Sequence, residues 1–326
     1  MGDMIFMTPA IRAIRRFFPE SYLACLIPPR GLDLLSGNPH LNRVIPLKET
    51  RGLGGILHWG PLIRLLRQEQ FDTAFLFHRS LSRTLAAWAA GIPRRVGYST
   101  WKRRWLLTDP VAPVPKDSVH KADFFLRLLE AAGIPRDGLQ YEVTLFPEDR
   151  QATELLLREW EIGPQDRLVA LHPGANWRLK RWPAGNFARL ADALADRYRV
   201  RIAFIGDQED LPLVQRILQR MKAPAFVATG RTTFRQCGAL LKRASLLVSN
   251  DSGPLHLGLA LGTPVIALFG PTRPDLTGPP DGSKGATLFG SIGCPVPCYR
   301  LQCPVNLCMS QITVEQVLDA AEKFLH

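Results

Sequence analysis

Four short segments contain the residue types that hold phosphorylated ligands. In SNDSGPLHLG, Asp251 or Ser252 can cap a helix starting at Pro254, a residue suited to a first helical turn. The N–H groups of Ser252 and Gly253 would then face outward at the positive end of the helix dipole, which suits a diphosphate. For a lone D-S-G-P the simpler account is a plain N-cap with no ligand. In LHPGANWRLKRWP, Gly174 and Ala175 let backbone approach a phosphate closely and Lys180 supplies a point charge. The alternative there is a basic loop covered by Trp177 and Trp182. FGPTRPD adds a second small-residue turn, and MGDMIFMTPA, with its acid Asp3, precedes the first helix. Each segment is a weak signal alone. In this order along one predicted sheet edge they favour a nucleotide-diphosphate site. The chain has no G-x-x-x-x-G-K-[ST], no G-x-G-x-x-G after a strand, no H-E-x-x-H and no G-x-S-x-G. P-loop, dinucleotide, zinc-peptidase and serine-hydrolase readings lose their support accordingly.

Two further clusters could do chemistry. Cys294, Cys298, Cys303 and Cys308 crowd into CPVPCYRLQCPVNLC. Four close thiols are candidates for zinc or an iron–sulfur cluster, but none of the spacings is C-x2-C, so reduced structural thiols and disulfides stay open. Cys25 and Cys237, isolated among apolar residues, read as core. Between Asp72 and Asp109 the chain carries Arg79, Arg83, Arg94, Arg95, Lys102, Arg103 and Arg104 with no acid among them, in a chain of net charge +12. Such a stretch attracts an anionic partner or merely keeps a surface solvated. Basic and aromatic residues interleave around Tyr98, Trp101 and Trp105, which leaves nucleic acid as a rival partner.

These residues need a scaffold, and 326 residues with 46% apolar content suffice for two α/β domains. Short apolar runs alternate with amphipathic stretches, the rhythm of parallel βαβ units. TPAIRAIRRFFP, PLIRLLRQEQ, SLSRTLAAWAAG and HKADFFLRLLEAAG read as helices, and YLACLIP, VIPL, FDTAFLF and RRVGY as strands. The pattern loosens over GIPRDGLQYEVTLFPEDRQ, which suits a linker, and restarts with RLVALHPG. Strands VRIAFIGD, PAFVATG, SLLVSNDSG and PVIALFGP then alternate with helices to the closing helix VEQVLDAAEKFL. The domains are therefore drawn at residues 1–155 and 156–326. No apolar run reaches the ~20 residues of a bilayer span, and the N-terminus does not read as a signal peptide. A cytoplasmic protein is expected.

The blocks GDMIFMTPAIRAIRRFFP, FDTAFLFHRSLSRTLAAWAAGIPRRVGY, HPGANWRLKRWP and SNDSGPLHLGLALGTPVIALFGPT together resemble glycosyltransferase family nine, the heptosyltransferases, across nearly the whole chain. IPRRVGY looks closest to the second heptosyltransferase of that family. The resemblance implies an α/β fold of the GT-B class: two Rossmann-like domains whose parallel sheets face each other across a cleft, acceptor on the first and donor on the second. It implies inverting, metal-independent transfer of heptose from an ADP-sugar donor (ADP-L-glycero-D-manno-heptose) to the lipopolysaccharide inner core, with no cofactor. It makes Asp3 the base on the acceptor hydroxyl and Lys180 the group that neutralises the leaving diphosphate. Gly174, Ala175, Lys180, Asp251, Ser252, Gly253 and His256 become the donor-binding set. Arg94, Arg95, Arg103 and Arg104 are the candidate contacts to the acceptor, an anionic glycolipid. Peripheral contact with the cytoplasmic face of the inner membrane follows, and nucleic acid is not expected as a partner. There are two departures. Arg235 and Gln236 stand where some members place an acid near the ribose. The chain also enters its first helix straight from MGD, where this fold opens with a strand, so a short apolar strand is expected upstream of Met1.

Overall fold

The computed structural model describes residues 2–47, 54–115, 117–298, 300 and 303–325. The N-terminal stretch forms α1 (Gly2–Phe17), β1 (Ala24–Ile27), α2 (Leu32–Leu35), β2 (Arg43–Pro46), α3 (Gly54–Gln68), β3 (Thr73–Leu76), α4 (Leu81–Ala89), β4 (Arg94–Tyr98), β5 (Asp109–Val111) and α5 (Lys121–Ala131). The remainder forms α6 (Pro147–Glu159), β6 (Leu168–His172), α7 (Ala184–Tyr198), β7 (Arg201–Phe204), α8 (Leu211–Leu218), β8 (Ala225–Val227), α9 (Phe234–Arg243), β9 (Leu246–Asn250), α10 (Gly253–Leu261), β10 (Val265–Phe269), α11 (Pro274–Thr277), β11 (Gly285–Phe289), α12 (Leu307–Ser310) and α13 (Val314–Leu325). Contacts divide the chain into a C-terminal unit of Met1–Ile5, Asp33–Asn38 and Gln140–His326, and an N-terminal unit of Phe6–Leu32 and Pro39–Leu139. Among the described residues no helix is long and apolar enough to cross a membrane.

The C-terminal unit holds a six-stranded, all-parallel sheet in the order β11-β10-β9-β6-β7-β8. The runs LVALH, LLVSN and VIALF are buried along their whole length, as central strands covered on both faces must be. One face (Val169, Leu171, Ile202, Phe204, Val248 and Leu268) packs on α7, α8 and α13. The other is met by α10, where a Cβ added to Gly258 would lie 2.8 Å from the Leu247 side chain. A glycine there lets helix and sheet approach closely. The order reverses between β6 and β9, because the chain runs outward from β6 through β7 to β8 and returns to start again at β9. A doubly wound sheet opens its ligand crevice at that reversal, beyond the carboxyl ends of the two strands.

In the N-terminal unit β1 pairs with β2, and β3, β4 and β5 form a second parallel ladder. Leu62 and Leu66 of α3, Ala86 and Ala87 of α4, and Ile92 make a core against which Leu26 of β1 and Leu76 of β3 pack. Ser80 caps α4 by accepting the Arg83 N–H, and Gly91, at φ +80°, stops it with its N–H on the Trp88 carbonyl.

Several elements differ from the sequence expectation, among them the short β5, α11 and α12, which were not expected. Asp3 lies not in a loop but in the first turn of α1, where it is exposed. α6 begins inside the segment read as a linker. Pro147 opens it and the Asp149 carboxylate accepts the Phe146 N–H, a start signal hidden in a charged, proline-containing stretch. β11, between the last expected strand and the cysteines, was not anticipated. It is an edge strand alternating between exposed and half-buried residues, so it lacks the apolar run of its neighbours.

Candidate functional site at the strand reversal

Asn250 ends β9 fully buried and stitches the two crevice loops together. Its amide nitrogen donates to the Pro173 carbonyl at 2.8 Å and its oxygen accepts the Trp182 N–H at 3.1 Å. Trp182 is a core residue rather than a lid: it is buried, its indole N–H bonds the Ile312 carbonyl at 2.9 Å, and its ring meets Phe187 edge-on. The loop after β6 is thereby fixed, and it delivers Lys180 to Asp251, Nζ to Oδ2, at 2.6 Å.

Asp251 is the hub of the site. Its side chain is only 4% exposed, and it accepts hydrogen bonds from Thr272 at 2.8 Å and Thr277 at 3.4 Å as well as from Lys180. Buried His256 comes within 3.9 Å of its other oxygen. The segment FGPTRPD thus reaches the same point through a threonine whose role sequence did not suggest. Neither Asp251 nor Ser252 caps α10 with its side chain; the Ser252 hydroxyl donates to the Asn250 carbonyl instead. The expected side-chain cap is therefore corrected: the first N–H groups of α10 receive no side-chain acceptor from the cap residue.

Gly174 has a second reason to be glycine. A Cβ there would fall 2.1 Å from Oδ2 of Asp210, a buried carboxylate just before α8. Arg181 approaches Asp210 at 3.6 Å while donating twice to the Ala175 carbonyl, at 3.0 and 2.9 Å. Burial raises the pKa of Asp210 and lowers that of its buried neighbour His172, whose Nδ1 lies 3.0 Å from the Ile205 carbonyl. Asp210, Arg181 and His172 brace the loop; sequence reading missed all three, because Asp210 lies far along the chain and nothing in the segment shows that Arg181 and His172 face it. Gly174→Ala is expected to cost ~1–3 kcal/mol by overpacking, read as a lowered Tm. The penalty should shrink when measured in an Asp210→Ala background, where the colliding carboxylate is gone. An equal penalty in both backgrounds would refute this account of the glycine.

Arg235 and Gln236, the departure expected near the ribose, make structural contacts. Arg235 pairs with Asp149 at 2.9 Å and donates to Ser36 at 2.7 Å, and Gln236 closes a capping box with Thr233 at the start of α9.

The four arginines expected on one anion-attracting surface separate. Arg103 is corrected outright: it is fully buried and donates to the Tyr98 carbonyl at 2.8 Å, to the Thr84 hydroxyl at 3.2 Å and to the His78 carbonyl. Burial and neighbouring Arg79 lower its pKa to about 10. Arg94 pairs with Asp109 on the next strand at 3.0 Å, and Arg95 donates to the carbonyls of Leu106 and Pro93. Arg104 stays exposed over the Trp105 ring, 4.4 Å from its centroid.

The six cysteines are free thiols, and burial pushes Cys237 up to about 12. Cys294, Cys298, Cys303 and Cys308 line one small cavity of about 40 Å³ with Gly270 and Pro271. Among the described residues no three His, Cys, Asp or Glu side chains converge as a metal site. Backbone N–H groups of Val305 and Asn306 lower the pKa of Cys303, whereas burial raises that of Cys308.

The model for glycosyltransferase family 9 (heptosyltransferase) matches residues 59–308. Lipopolysaccharide heptosyltransferase 2 of Escherichia coli K12 is 27% identical over 289 residues, covering 86% of this chain and 82% of that protein. The crystal structure of a family 9 glycosyl transferase from Veillonella parvula superposes with a TM-score of 0.88 at 25% identity, covering 99% of this chain and 94% of the other. E. coli ADP-heptose lps heptosyltransferase II superposes at 0.81 with 24% identity, over 99% and 95% of the two chains.

Proposed function

The chain belongs to glycosyltransferase family 9 and is a glycosyltransferase of GT-B fold, and on that premise we propose that it transfers heptose from ADP-L-glycero-D-manno-heptose to the lipopolysaccharide inner core. The observation that carries the proposal is the Lys180–Asp251 pair at the sheet reversal, beside a helix N-terminus without a side-chain cap. An ADP diphosphate seated there takes the N–H groups of Ser252 and Gly253 and the charge of Lys180, with Gly174, Ala175 and His256 closing the donor site. Stabilising the departing diphosphate is a transition-state interaction, the kind that raises kcat. Lysine and helix dipole together supply the positive charge that a metal ion supplies elsewhere, so the transfer is proposed to be metal-independent. Asp3 takes the proton from the acceptor hydroxyl as it attacks, and the anomeric carbon inverts. The six-stranded unit is the donor domain and the other unit the acceptor domain. The acceptor is an anionic glycolipid, so the enzyme works at the cytoplasmic face of the inner membrane as a peripheral protein.

The deciding experiment offers a panel of nucleotide-sugars with a deep-core acceptor. ADP-heptose is expected to be consumed, at the same rate with and without EDTA. Consumption of a different nucleotide-sugar would assign another donor to the same site, and a rate lost in EDTA and restored by magnesium would end the metal-free mechanism. Lys180→Ala should weaken ADP by the loss of a charged hydrogen bond, ~1.5–3 kcal/mol or roughly ten- to hundred-fold in Kd. Titration calorimetry with ADP checks this, and unchanged affinity together with unchanged rate would remove Lys180 from the site.

A further inference from the structure

α4 carries its apolar residues on the wrong side for a helix that only packs against its own core. Thr84, Ala86 and Ala87 face inward, while Leu81, Leu85 and Trp88, at i, i+4 and i+7, remain 43%, 46% and 53% exposed. On the loop after β4, Trp101 and Trp105 are at 79% and 78% exposure the most solvent-facing large apolar side chains among the described residues. Each ring carries a cation: Lys102 lies 5.1 Å from the centroid of Trp101, and Arg104 lies 4.4 Å from that of Trp105.

Buried Arg103 ties this loop to α4. Standing two residues from each tryptophan, it donates to the Thr84 hydroxyl on α4, to the carbonyl of Tyr98 at the end of β4 and to that of His78 just after β3. The loop that presents both indoles is thereby clamped to the helix that presents the leucines. The 104–106 turn also contacts α4 directly. Loop and helix both spring from the carboxyl ends of their strands, the edge where doubly wound sheets meet their ligands.

We propose that this face docks on the headgroup layer of an anionic phospholipid bilayer, with Leu81, Leu85 and Trp88 at the acyl boundary and Lys102 and Arg104 on the phosphates. Charge selects this occupant. The chain between Asp72 and Asp109 has no acid, and Asp109 itself is paired with Arg94. An apolar stripe rimmed by cations stacked on indoles matches the amphipathic character of the bilayer interface, where tryptophan sits at headgroup level and basic side chains reach the anionic surface. The inference rests on the glycolipid-acceptor reading for its purpose, because docking brings the ligand edge of the acceptor unit to the membrane that holds such an acceptor. Its measurement does not depend on that reading.

The full chain is sedimented with sucrose-loaded vesicles of phosphatidylglycerol or of phosphatidylcholine, without donor or acceptor. Binding is expected to phosphatidylglycerol only, weakening as salt rises, with a blue shift of tryptophan emission. The variant Leu85→Ser/Trp88→Ser/Trp101→Ser/Trp105→Ser should partition at least tenfold more weakly, and Lys102→Glu alone should weaken binding measurably. Both change exposed positions, so circular dichroism and transfer to a deacylated, water-soluble acceptor should match wild type. The proposal is overturned if wild type treats the two lipids alike, if the fourfold variant binds like wild type, or if the protein ignores vesicles and binds a short oligonucleotide. A wild-type dimer that the fourfold variant turns into a monomer would also overturn it, assigning the face to a second copy of the chain. Vesicle binding by a protein that consumes no nucleotide-sugar would sink the proposed function and leave the docking face standing.

Discussion

Asp3→Asn is expected to lower kcat by about 10²–10⁴-fold, the contribution of a positioned general base, while leaving the Kd for ADP within a few-fold of wild type. The substitution keeps the size and shape of the side chain and removes only its capacity to take a proton. A glycosyl acceptor hydroxyl is a poor nucleophile until that proton has somewhere to go, so the loss should fall on the chemical step. The proposed ADP contacts, Lys180 and the α10 N-terminus, are by contrast left unchanged. Asp3 is exposed in the first turn of α1, where an acid also favours the helix dipole by ~0.3–1 kcal/mol. A small drop in Tm is therefore expected beside the large drop in rate, and the two are separable by assaying well below the transition. A variant that kept a third of wild-type turnover would show that Asp3 is not the base.

The C-terminal half was legible in the sequence for a physical reason. β6, β9 and β10 are buried on both faces, so their residues form unbroken apolar runs that end abruptly in the polar turns HPG, NDSG and GPT. Loops that follow such runs share one edge of a parallel sheet, and this is how Lys180 and Asp251, 71 residues apart, were assigned to one site. Their direct pairing was not legible, nor was the support from Thr272 and Arg181, because periodicity reports which face a residue takes and not which neighbour it meets. Arg103 shows the limit most sharply. Within a run of cations it reads as solvated, yet backbone carbonyls at the ends of β3 and β4 accept its hydrogens and let it be buried. Gly174 was assigned to a phosphate from its position alone, while the structure adds a carboxylate from 36 residues downstream that any Cβ would strike.

Asp251→Asn is the second large effect, and it tests why a carboxylate stands beside a proposed diphosphate at all. An acid facing an anionic ligand would repel it. Here, however, one oxygen is committed to Lys180 and Thr272 and the other is approached by Thr277 and His256. The carboxylate therefore acts as the anchor that aims the lysine. The amide of Asn can still accept from Thr272 but carries no charge to hold the ammonium. Breaking a buried pair costs ~3–5 kcal/mol, and the lower end applies because Lys180 retains 23% side-chain exposure and can turn to water. About 3 kcal/mol in a unit of this size corresponds to a Tm lower by roughly 6–12 °C. Donor affinity should fall as well, since a lysine no longer held in place loses entropy on binding phosphate that the wild-type lysine has already lost. A double-mutant cycle then separates anchor from ligand contact. If Asp251 works through Lys180, Asp251→Asn should add little to the ADP affinity already lost in Lys180→Ala, giving a coupling of ~1–3 kcal/mol. Fully additive losses would mean that Asp251 contacts the donor independently, and the anchoring account would fall.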